Sequence, residues 1–176
     1  MKTLKITAKD VKESTSYRSD YIGEEDLSHF SGNVELDDNL GLVRFNSISV
    51  TGHLWAGLGT GIEVAYSITV GDSIKVGGSI EVGNSIWAGD SIWTGAGIIA
   101  GRSITCKQNL NVGYRIFAGT AIWEDTISDE DKTITCGKLE HGEIAYGILK
   151  ETGLPDEESD IIELNGKKYR EIKEEL

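Results

Sequence analysis

Gly71-Asp-Ser-Ile-Lys-Val-Gly-Gly-Ser-Ile-Glu-Val-Gly83 holds two consecutive copies of one six-residue unit, Ser-Ile-x-Val-Gly-x. The unit runs in both directions. Ile62, Ile68, Ile74, Ile80, Ile86, Ile92, Ile98 and Ile104 keep an unbroken spacing, and Leu110, Ile116 and Ile122 extend it. Two residues after each stands a smaller residue, such as Val64, Val70, Val82, Ala88, Ala100 or Cys106, usually followed by glycine. A fixed short period is the signature of a solenoid. Ile-x-Val alternates with period two, which puts both side chains on one face of a short strand. The Gly-x-Ser that follows is turn chemistry, read here as glycine's tolerance of positive φ. Strand and bend every six residues make one side of a coil, and three sides make a turn of 18 residues.

A helix is excluded by the period and by glycine at every sixth place, each costing about 1 kcal/mol relative to alanine. Collagen needs period three and proline, and this chain has one proline, Pro155. Three intertwined chains, as in spike needles, are the competing use of such a repeat.

The expected fold is therefore all-β: a three-sided, single-chain parallel β-helix of about five turns, with its hand left open. Val34-x-Leu36, Leu40-x-Leu42, Ile48-x-Val50 and Leu54-x-Ala56 read as earlier units, with two-residue insertions that would put Phe45 and Leu58 in outward bulges. Four segments follow: 1–33, a strand and capping segment; 34–123, the β-helix; 124–153, capping strands around Thr133–Cys136 and Glu143–Leu149; 154–176, a linker and acidic hairpin. Asn165-Gly166 between two apolar-patterned runs is a strong hairpin signal. Such a hairpin is marginal alone and needs a surface, a second copy or a partner to dock on.

The hexads resemble the Gly-x-x-Ile-x-Ala-Gly repeats of a family of uncharacterised bacterial and phage proteins. The segment Ser103–Lys107, the run Tyr114–Gly119 and the stretches Thr133–Glu140 and Ala145–Lys150 resemble the C-terminal half of the same family, over about residues 27–153. The resemblance implies a β-helix and, by analogy with proteins of mobile elements, an inhibitor of a bacterial defence complex of the CRISPR type. Hexapeptide acyltransferases are a weaker match, because the place they keep small is filled here by Ile80. Bactofilin-like polymers lack the strict six-residue glycine.

The 176 residues carry 29 acids and 17 bases, a net charge of −12. The charge is uneven. Residues 62–123 hold four of each, whereas residues 124–176 hold 16 acids against 7 bases. Nucleic-acid binding needs a basic face, and none is expected. No run is long and apolar enough for a signal peptide or a membrane span, so the expected location is the cytoplasm of a bacterial host cell. Cys106 and Cys136 suggest no disulfide framework. His29, His53 and His141 have no metal-like spacing, and no phosphate loop or nucleophile–base set is legible. The expectation is no enzyme, no metal and no cofactor. His53 is the one corner histidine where an acyltransferase would keep a base.

The residue between each Ile and Val points outward, and positions 18 apart stack. One column then shows Glu63, Glu81, Ile99 and Phe117; another shows Thr69, Trp87, Thr105 and Trp123; the third shows Lys75, Trp93 and Asn111, with Trp55 in the same slot earlier. Exposed aromatics in number mark interaction sites. Arg102, Lys107, Tyr114 and Arg115 form a basic and aromatic cluster in the last full turn. The candidate partner-binding set is Trp55, Trp87, Trp93, Ile99, Phe117, Trp123, Arg102, Tyr114 and Arg115. The expected role is a protein-binding solenoid with a protein partner; a homo-oligomer or self-assembling scaffold and a hexapeptide-type acyltransferase are the rivals.

Overall fold

In the computed structural model the chain is a parallel β-solenoid. The structure describes residues 1–121, 124 and 126–153, with the backbone of Ile161–Leu164 and Lys167–Arg170. The hexads form strands of three residues whose outer two side chains are buried, as in Ile74–Val76, Ile86–Ala88 and Ile98–Ala100. Successive strands fall in three stacks, and each strand pairs with the one a turn away. Leu54–Ala56, Ile74–Val76 and Ile92–Thr94 belong to the first stack. Thr60–Val64, Ile80–Val82 and Ile98–Ala100 belong to the second. Ile48–Val50, Ile68–Val70, Ile86–Ala88 and Ile104–Cys106 belong to the third. The ten-residue strand Asn109–Ala118 crosses from the first stack to the second, so those two form one continuous sheet. The core is a set of aliphatic columns, with Ile62, Ile80, Ile98 and Ile116 stacked in register and each 0% exposed. Each such isoleucine contributes about 2 kcal/mol of burial.

Stacking runs further than residues 34–123. Thr3–Ile6 adds to the first stack beside Asn33–Leu36, and Arg18–Tyr21 adds to the second beside Gly41–Phe45. Val11–Thr15 pairs antiparallel with Arg18–Tyr21, a hairpin that the polar sequence there does not announce. The third stack continues through Thr133–Cys136 to Ile148–Glu151, six strands in all, so the coil makes about six turns rather than five. The strands Ile161–Leu164 and Lys167–Arg170 pair antiparallel, Ile161 opposite Arg170 and Leu164 opposite Lys167. The Asn165-Gly166 turn expected between them lies outside the described residues. Among the described residues, no helix is long and apolar enough to cross a membrane.

Three expectations about register are corrected. The second-stack unit of the early turn is Val43-x-Phe45, not Leu40-x-Leu42: Val43 pairs with Ile62 and Phe45 with Val64. Phe45 is buried against Tyr21, 5.2 Å between ring centroids, whereas Leu58 does bulge outward at 71% exposure. The reason is the corner at Asn39 and Gly41, both at positive φ (59° and 70°), which delays the strand. Second, the rung after Ile104–Cys106 in the third stack is Ile134 and Cys136, not Ile122, with Thr135 beside Thr105. Ile122 and Trp123 lie outside the described residues. Third, most repeat glycines are not needed for positive φ: Gly119 adopts it (82°), but Gly71, Gly77, Gly83, Gly89 and Gly95 do not. They are needed because the turns touch at the corners. A Cβ on Gly89 would lie 2.0 Å from the carbonyl oxygen of Gly71, and one on Gly95 2.3 Å from that of Gly77.

Candidate functional site

The outward column of the second stack is divided by chemistry. Arg44, Glu63, Glu81, Ile99 and Phe117 follow one another in register. The charged half is ion-paired internally: Arg18 Nε lies 3.1 Å from Glu63, and Arg44 lies 3.5 Å from Asp20 and 3.7 Å from Glu63. The apolar half opens as a groove of about 940 Å³, with Ile99 and Phe117 as its floor and Tyr114, Arg115, His141 and Glu143 among its walls.

A bulge shapes that groove. Asn111 pairs with His141 and Arg115 with Glu143, so Val112, Gly113 and Tyr114 face the single residue Gly142. Surplus residues on one strand bend it outward. Gly142 has φ 125°, and a Cβ there would lie 3.1 Å from Cβ of Val112, so glycine fits the narrow side. The bend leaves Tyr114 71% exposed. His141 Nδ1 donates to the Val112 carbonyl at 2.8 Å, holding the bulge shut. Arg115 Nε donates to Glu143 Oε2 at 3.3 Å across the rim, with both side chains about two-thirds exposed. The result is an apolar floor with a polar rim.

Four of the nine expected partner-binding residues meet at this groove: Ile99, Tyr114, Arg115 and Phe117. The others are elsewhere. Trp55 and Trp93 stand on the first stack with Lys75 between them in register. His53 stacks on Trp55 with centroids 4.1 Å apart, and Lys75 Nζ lies 5.5 Å from the Trp93 ring centre. Trp87 stands on the third stack, with Lys107 Nζ 5.9 Å from its ring centre. Arg102 faces the segment after Gly119, ion-paired with Glu124 and donating to Asp131 at 3.2 Å. Trp123 lies outside the described residues.

Sequence reasoning missed three partners. Glu143 and His141 arrive on Lys138–Tyr146, after a long insertion that hides their register with Arg115. Glu35 lies 3.3 Å from His53 Nε2, a carboxylate pairing legible only as a spacing of eighteen residues across a turn that is itself twenty long. Cys106 and Cys136 are both buried. Burial, reinforced by Cys136, pushes the Cys106 thiol up to about 12, and burial pushes Cys136 up to about 11. Neither is poised as a nucleophile. Among the described residues, no three His, Cys, Asp or Glu side chains converge as a metal site. Comparison with protein-family models, with curated proteins and with solved structures finds no significant match.

Proposed function

We propose that this chain is a non-enzymatic recognition solenoid that binds a protein partner through the Ile99–Phe117 groove. The observation that carries the reading is the break in the outward column: its charged half is internally paired, and its apolar half is left open under a bulge. A rigid stack of strands holds the floor in place, so little ordering is lost on binding. Phe117 and Tyr114 supply the aromatic area that dominates binding energy, and the Arg115–Glu143 pair forms the rim that orients a partner. The resemblance to bacterial and phage proteins is what narrows the partner class to a bacterial defence complex, which the chain would block by covering one of its protein surfaces.

Affinity capture from a bacterial lysate tests this with three baits: the intact chain, Phe117→Ala combined with Ile99→Asp, and Trp87→Ala. A protein retained by the intact chain and by the Trp87 variant, but lost with the groove variant, supports the reading. Equal capture by all three rejects the groove as the site.

A further inference from the structure

The two ends of the coil are finished differently. At the beginning, Ile6 and Val34 are 0% exposed, and Leu27 and Phe30 are buried beside them. Tyr21 and Val11 pack against the same core. At the other end the last inward residues are Leu139, Ile144 and Leu149, one on each stack. They sit in register on Leu110, Ile116 and Ile134, all 0% exposed. Leu139, Ile144 and Leu149 themselves are only half-buried, and Tyr146, next to Phe117, is 48% exposed. Lys138–Tyr146 and Ile148–Glu151 are also the last strands of their stacks, each with a ladder partner on one side alone among the described residues. This end therefore combines aliphatic side chains from every stack with a strand edge that carries no further strand among the described residues. Solenoids need such ends covered, and a bare edge of this kind recruits other strands.

We propose that the occupant of this end is the chain's own C-terminal strand pair, Ile161–Leu164 with Lys167–Arg170. The chain leaves the coil at this end, since Glu151 closes the last strand. Residues 154–160 form the tether between Gly153 and Ile161. Seven extended residues reach about 25 Å, and one six-residue side of the coil spans no more than about 20 Å. Seven residues are thus long enough to reach any of the three stacks. A two-stranded ribbon is marginal alone in water, so its formation calls for a surface. Its sequence brings Ile161, Ile162, Leu164 and Tyr169, apolar residues matched to an aliphatic end. A second copy of the chain offers the same chemistry, but a short tether raises the local concentration of the cis segment to about the millimolar range, above any ordinary protein concentration.

Hydrogen exchange on the full chain tests this beside two variants: one ending after Gly153, and the full-length double substitution Ile162→Lys and Leu164→Lys. The expected full chain is a monomer with slow exchange along Lys138–Tyr146 and Ile148–Glu151. In both variants those amides exchange at least tenfold faster, an apolar dye binds, and self-association rises with concentration. The double variant keeps every residue of the coil, so it decides the matter even where the shortened chain does not fold. Unchanged exchange in the double variant overturns the proposal. A full chain that is dimeric, and loses protection of these strands on dilution, overturns it in favour of a second copy as the occupant.

Discussion

Phe117 lies in register beside Ile99 on the outside of the second stack, one strand spacing away and on the opposite face from the buried Ile98 and Ile116. Two large apolar residues thus sit side by side where the fold does not use them. Alanine at both positions is expected to cost about 1 kcal/mol or less of stability, since neither fills the core. Partner binding is expected to fall at least tenfold. Urea denaturation and a binding titration on the same variant separate the two effects.

Ile80 sits between Ile62 and Ile98 with no exposed surface. Stacked rungs leave little freedom for neighbours to close a gap. Ile80→Ala is expected to lose about 3 kcal/mol and Ile80→Val about 1 kcal/mol, read from the urea midpoint. A loss below about 1 kcal/mol for alanine would show that the column relaxes.

Gly89 is held by contact with the turn below, since a Cβ would stand 2.0 Å from the Gly71 carbonyl oxygen. Gly89→Ala must push two turns apart. The expected cost is about 2 kcal/mol, although alanine is favoured over glycine on chain entropy alone. A thermal midpoint equal to or above that of the parent would contradict the touching corner.

Cys106 and Cys136 hold their protons to about pH 12 and about pH 11 when folded. An unfolded thiol releases its proton near about pH 8.5. Between those values the unfolded chain has lost protons that the folded chain keeps, so stability falls as pH rises through the window. Denaturation at pH 7.5 and pH 10.5 is expected to show this fall, and Cys106→Ala with Cys136→Ala is expected to lessen it. In the native chain at neutral pH, a thiol reagent is expected to react at the rate of unfolding.

Arg102 anchors the long insertion by bonding to Asp131 and pairing with Glu124. The guanidinium is more than one-third exposed, so the pairing is screened. Arg102→Ala is expected to cost about 1 kcal/mol or less, with faster hydrogen exchange in residues 126–132. A global loss larger than that would mean that the insertion supports the coil itself.

The uninterrupted hexads were legible residue by residue. Ile62 to Ile104, their buried partners and the outward columns through Glu81, Ile99 and Phe117 follow from period alone, because a strand alternates and a coil of equal sides repeats. Legibility failed wherever a turn departs from eighteen residues. Spacing alone puts Phe45 outside, whereas the corner at Asn39 and Gly41 shifts the strand and turns it inward. Thr135, not Trp123, follows Thr105 because an insertion separates the two rungs. The polar run Val11–Tyr21 forms strands through ladder pairing with its neighbours, which local pattern does not reveal.

By itself the sequence determined a parallel coil with aliphatic columns inside, because period six and alternation of two leave a chain few other ways to bury every isoleucine. Only the tertiary structure decided which outward residues share a site. Arg115 meets Glu143, and Tyr114 is lifted beside Phe117, through a bulge between strands about thirty residues apart. Contacts of that range depend on the length of the insertions between rungs, and no local pattern encodes where such an insertion returns the chain.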